Sequence, residues 1–192
     1  MMDPSLAPDI RGAGLRIMGP RDVQIQFVAF LQSWDPAFAT SKLEVRKAMN
    51  LAIDMDALVK AIYPEGTGTR AASVMPPLME GHDPSLTPYP YDPREARRLL
   101  KSVGMEGLKV TLYQYTFAQG PEYPRIQETV AAYLEAAGFK PSLVPVDYPA
   151  IRSKVVTGKL DPPAVLGTFF MVNGSSLDNN LRILVISHKV GG

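Results

Sequence analysis

The sequence predicts an α/β fold: a mixed sheet with βαβ units, flanked by helices. Three observations carry that reading. Strand-like apolar segments alternate with segments of helical period. Residues 108–147 run strand, helix, strand at the spacing of a βαβ unit, whose crossover is expected to be right-handed. The 18 prolines of the 192 residues gather between these segments, which favours long structured connections over a helix bundle.

Residues 1–21 read as a loose lead-in, punctuated by Pro4, Pro8, Gly12, Gly14, Gly19 and Pro20. Residues 23–30, VQIQFVAF, are β-rich and partly alternating, so a strand is expected. WDPAFATSK follows as a loop holding the only tryptophan, Trp34. Residues 43–53 place Val45, Ala48, Met49, Ala52 and Ile53 on one helical face. Asp54 is read as the N-cap of a second helix with Leu58, Val59 and Ile62 inward, because its carboxylate can accept from an orphan backbone N–H.

Residues 64–91 are rich in Pro, Gly, Ser and Thr, a connection so long that it is expected either to be functional or to pack on the surface. It ends in PYPYDP, an arm in which the prolines hold the chain extended while Tyr89 and Tyr91 pack. Asp92 is the expected N-cap of the next helix. Pro93 suits its first position, and Glu95 is placed to return a capping-box bond. Ala96, Leu99 and Leu100 form the buried face, and Gly104 ends it. Residues 108–117 alternate as a strand. Ile126, Val130, Tyr133, Leu134 and Ala137 then make a helical stripe that Gly138 stops. Val144 and Val146 share one face of the next strand. A helix over 148–156 and an apolar strand over 164–172 continue the alternation, and a loop with a short helix-like stretch ends the chain.

Composition removes several function classes. At 46% hydrophobic residues, the chain can bury a core. A net charge of +1 with scattered Lys and Arg gives no basic stripe, so no nucleic-acid partner is expected. No apolar run is long enough for a membrane span, and MMDPSLAPD lacks the pattern of an export signal. Without cysteine there is no disulfide, thiolate metal site or cysteine nucleophile.

No catalytic motif is read, and no metal or cofactor is expected. His82 and His188 have no second histidine at helical spacing. Capping and helix-dipole complementarity explain Asp54 and Asp56. EGTGTR, residues 65–70, lacks the phosphate-loop pattern and follows no strand. Ser175 and Ser176 lie outside any GxSxG elbow. Phe169, Phe170 and Met171 read as core.

Three segments resemble the bacterial extracellular solute-binding proteins of the oligopeptide/dipeptide/nickel class, the capture components of ABC importers. VRKAMNLAIDMDALVKAI is similar to that family's helix pair, with its VR-x-A-x-N-x-AID core. YPYDPREARRLLKSVG is similar to its proline–tyrosine arm and following helix, and AAYLEAAGFKPSLVPVDY to a later helix-to-strand passage. The resemblance covers most of the chain from about residue 22. It implies a periplasmic-binding-protein-like lobe over residues 22–192: most, but not all, of the C-terminal lobe of a two-lobe protein. It also implies a non-enzymatic role, periplasmic or cell-surface location, and three partners. These are a small-molecule or peptide ligand, the N-terminal lobe of the same protein and the permease subunits. The rival readings are an interaction domain that keeps the lobe fold, or part of an enzyme whose catalytic residues lie elsewhere.

The resemblance also nominates ligand contacts. The family's peptide binders carry a Trp and an ammonium-binding Asp shortly before an Asp-Pro pair. In FFMVNGSSLDNN, with Asp178 matched to the Asp of that pair, Met171 takes the Trp position, Ser175 the ammonium-binding position, and Asn179 replaces the Pro. A neutral serine cannot make the charge-assisted bond to an amino terminus. Asn173, Ser175 and Ser176 suit a polar neutral solute better. The family's Asn after the first strand is also missing; Gln32, Ser33 and Trp34 stand there, and Trp34 becomes the aromatic candidate.

Overall fold

A computed structural model describes residues 6–17, 24–75, 77, 81–116 and 120–172. Its described strands are β1 (Gln24–Leu31), β2 (Lys109–Gln114), β3 (Lys140–Pro145) and β4 (Val165–Val172). The helices are α1 (Ala7–Gly12), α2 (Leu43–Ala52), α3 (Met55–Ile62), α4 (Pro93–Ser102), α5 (Tyr123–Ala136) and α6 (Tyr148–Val156). The strands form one mixed sheet in the order β1-β4-β2-β3. β2 runs parallel to both β3 and β4, and β1 closes one edge antiparallel to β4. The β2–α5–β3 unit is the βαβ unit of the sequence. The stretch read as a loose lead-in contains α1, whose Ala7 is buried.

The helix pair forms as its residue pattern dictates. Val45, Ala48, Met49 and Ala52 are buried on one side of α2. Its start is held by Arg46, whose Nη1 donates to the Thr40 and Ser41 carbonyls at 2.7 and 2.8 Å. The corner into α3 is capped by Asp54, whose Oδ1 accepts from the Ala57 N–H at 2.9 Å. Asp56 answers to Arg70 at 2.7 Å.

The arm before α4 is fixed chiefly through its backbone. The Asp92 N–H donates to the Leu51 carbonyl at 2.9 Å, and Arg70 donates to the Tyr89 carbonyl. Tyr91 meets Tyr133 edge-on with ring centroids 5.8 Å apart, yet Tyr89 and Tyr91 remain 45% and 46% exposed. Asp92 caps α4 by accepting from the Arg94 and Glu95 N–H groups at 3.1 and 2.9 Å. The expected return bond from Glu95 does not form. The Asp92 N–H is already taken by Leu51, and Glu95 pairs with Arg98 at 2.6 Å instead. Gly104 follows α4 at φ +67°, a conformation that favours glycine.

The main core lies between sheet and helices. Ala96 and Leu100 of α4 join Val45 and Met49 of α2. Ile126, Val130 and Leu134 of α5 join Val110 and Leu112 of β2, and Val165 and Leu166 of β4. Every one of these eleven side chains is buried, so helices and sheet share one continuous apolar interior. Ile25 packs separately with Phe27 and Met75.

Candidate functional site

Parallel strands that feed helices leave their C-terminal ends as the open edge of an α/β sheet. Here β2 and β3 end at Gln114 and Pro145, and α5 and α6 begin just beyond. A cleft of about 490 Å³ lies at that edge. Gln114 lines it from the end of β2, Tyr115 and Thr116 from the chain just beyond, Pro124 from α5, and Pro145, Val146 and Asp147 from the β3–α6 junction. Among the described lining residues Asp147 is the one that carries a charge. Its backbone, at φ −80° and ψ 138°, has the extended geometry of an N-cap, yet its side chain makes no cap bond to α6.

Next to the cleft residues in the chain is a buried polar cluster. Glu122, immediately before α5, is only 5% exposed. Its Oε1 accepts from the Tyr63 hydroxyl at 2.9 Å and from the Gln26 amide. Its Oε2 is buried without a hydrogen-bond partner, as are the Tyr123 hydroxyl and the Thr168 hydroxyl. Tyr115 joins cluster to cleft. It lines the cleft, lies 6.1 Å from the Tyr123 ring and 5.5 Å from the Tyr148 ring, and donates from its hydroxyl to the Thr168 carbonyl.

Burial pushes the Tyr63, Tyr115 and Tyr123 hydroxyls well above the ordinary tyrosine value. The Glu122 charge adds to the rise at Tyr63 and at Tyr123. These phenols stay neutral hydrogen-bonding groups throughout the physiological range.

The two nominated residues within the described range, Trp34 and Met171, fall at opposite ends of the sheet. Leu31 pairs with Val165 and Ile25 with Met171. Trp34, in the turn after β1, therefore lies beyond the Val165 end, roughly 20 Å of strand from Met171. Trp34 is 52% exposed. Met171 is at the C-terminal end of β4, the same edge as the cleft, because β4 is parallel to β2. Its side chain, like those of Phe169 and Phe170, is outside the description, and so are residues Asn173, Ser175, Ser176, Asp178 and His188 altogether.

Sequence reasoning passed over Glu122, Tyr115, Tyr123 and Asp147. The sequence signal was a pair of strand-to-helix junctions each carrying an acidic residue. Among the described residues no group of three or more His, Asp or Glu side chains could hold a metal, and no helix is long and apolar enough to cross a membrane. The His82 ring nitrogen Nδ1 meets the Met75 carbonyl at 2.9 Å.

Comparison with known proteins agrees with this architecture. The family model described as bacterial extracellular solute-binding proteins, family 5 Middle, matches residues 8–175. The chain is 26% identical over 181 residues to heme-binding protein A of Haemophilus influenzae, covering 92% of this chain and 32% of that protein. It is 27% identical over 183 residues to di/tripeptide-binding protein 3 of Pseudomonas aeruginosa, covering 94% and 33%. Among solved structures, the ABC transporter substrate binding protein CtaP of Listeria monocytogenes superposes with a TM-score of 0.77 at 18% identity, covering 95% of this chain and 37% of that one. The chain thus spans about a third of the length of the curated relatives it matches. With its helix pair, proline–tyrosine arm and βαβ unit all in place, the chain belongs to the family 5 bacterial extracellular solute-binding proteins.

Proposed function

We propose that this chain forms part of the capture component of an ABC importer, holding a small solute against a second lobe and presenting it to membrane permease subunits outside the cytoplasm. The observation that carries the reading is the family match across residues 8–175, together with an open cleft at the C-terminal edge of the parallel strands. A site at a lobe face gains affinity when a second surface closes on it, so ligand binding energy shifts an open–closed equilibrium. That mechanism needs no catalytic group and no prosthetic group.

Met171, Asn173, Ser175, Ser176 and Asp178 are the proposed contacts on the β4 side. β4 delivers Met171 to the cleft edge, and the other four follow it in the chain. Trp34, at the far end of the sheet, is the weaker nomination.

The test is a thermal-shift screen of the full-length gene product against di- and tripeptides, haem, glutathione, neutral sugars and metal chelates. Stabilisation by one class is expected to grow with ligand concentration as mass action requires for a ligand that binds only the folded state. Stabilisation by none of them overturns the reading.

A further inference from the structure

Glu122 is buried at a cost. A carboxylate taken out of water is unfavourable unless it is paired, and a buried polar atom without a partner calls for an explanation. Among the described residues Glu122 has no salt-bridge partner, and its Oε2 lacks a hydrogen bond. Replacing buried charged groups by apolar ones is often neutral for stability, so the use of this carboxyl lies in what it holds in place. Its partners come from far along the chain. Tyr63 closes α3 and Gln26 belongs to β1, 59 and 96 residues away. What they hold is the start of α5. Pro124, two residues on, lines the cleft, and the Tyr123 ring lies 6.1 Å from that of Tyr115, another lining residue. Gly120 leaves the space for the Tyr123 ring, since a Cβ there would run into it. The Tyr115 side of the wall is tied separately, by its hydroxyl donating to the Thr168 carbonyl of β4. Gln26, Tyr63 and Glu122 are not among the residues that line the cleft.

We propose that Gln26, Tyr63 and Glu122 are positioning residues, which fix the α5 side of the cleft wall from outside the cleft and touch no solute. This rests on the capture role proposed above. A wall ordered in advance spares the solute the entropy of ordering it on binding.

The test is native-state hydrogen exchange of the full-length gene product without solute. It reads the Tyr123 and Ile126 amides, which donate to the Gly120 and Glu122 carbonyls at the start of α5. In Glu122→Ala, and in the milder Tyr63→Phe, these amides are expected to exchange about tenfold faster, the scale of one lost hydrogen bond. The Ala96 amide of α4, bonded to the Asp92 carbonyl, is expected to keep the parent's rate. Glu122→Gln keeps an acceptor for the Tyr63 hydroxyl and the Gln26 amide, and is expected to restore the parent's rates at Tyr123 and Ile126. A merely structural role would speed exchange alike at Tyr123, Ile126 and Ala96, and that result overturns the inference. So does an unchanged rate at Tyr123 and Ile126, or a Glu122→Gln variant as fast as Glu122→Ala. If Glu122→Ala does not fold, Tyr63→Phe and Glu122→Gln decide. Exchange needs no solute, so a failure here leaves the capture role standing, and a failure of the ligand screen leaves these rates as they are.

Discussion

At the residue scale the chain uses acidic side chains in two ways at its helix starts. Asp54 and Asp92 spend their carboxylates on their own helices, at 2.9 Å from the Ala57 and Glu95 N–H groups. Asp54→Ala and Asp92→Ala are each expected to cost about 1 kcal/mol in urea unfolding. Asp147→Ala, with no cap bond to lose, is expected to stay within about 0.5 kcal/mol of the parent. An equal loss at all three positions would show that Asp147 caps α6 after all. The buried phenols give a second expectation. Tyr63, Tyr115 and Tyr123 hold their protons more tightly folded than unfolded. Their contribution is therefore complete below the unfolded tyrosine value, about pH 10, and is lost progressively as pH rises above it. Urea midpoints measured from pH 9 to pH 11.5 should fall, and absorbance at the tyrosinate wavelength should show three phenols ionising only as the protein unfolds.

At the element scale most of the architecture was legible because its signals are local. The two capping aspartates, the glycine stops at Gly104 and Gly138 and the apolar stripes of α2, α4 and α5 all lie within a few residues of the structure they specify. The capping box at Glu95 failed because its target N–H went to Leu51, forty-one positions back along the chain in a different helix. The polar cluster escaped for the same reason. Glu122 finds Tyr63 at 59 and Gln26 at 96 residues' separation, distances at which no periodicity speaks. α1 was hidden by Pro8 and Gly12. Packing between elements yields a third expectation. Leu100 joins α4 to α2, and Leu134 joins α5 to the sheet, both within the shared core. Leu100→Ala and Leu134→Ala are each expected to cost about 2–5 kcal/mol. An Arg70→Ala variant, removing both the ion pair to the largely exposed Asp56 and the bond to the Tyr89 carbonyl of the arm, is expected to cost about 1–2 kcal/mol. Chemical denaturation ranks all three.

At the scale of the whole molecule the strand order β1-β4-β2-β3 was not legible, because alternation tells strands from helices but not which strands are neighbours. The family resemblance reached the fold by a different route, through residues shared in register. The order has an energetic side. β2, α5 and β3 are consecutive and close short loops, whereas β1 must find a partner that begins at Val165. Pulse-labelled hydrogen exchange during refolding should therefore protect β2 and β3 amides before those of β1, since loop-closure entropy precedes the reward of long-range pairing. Simultaneous protection of all four strands would show that the sheet forms as one unit. The same arrangement bears on birth at the ribosome. Gln24–Leu31, which among the described strands pairs with β4 alone, leaves the exit tunnel well before that mate has been translated. At ordinary elongation speed that orphan interval lasts on the order of 10 s. For so long QIQFVAFL stays a sticky ribbon without cover, a natural foothold for the chaperones that guard nascent chains.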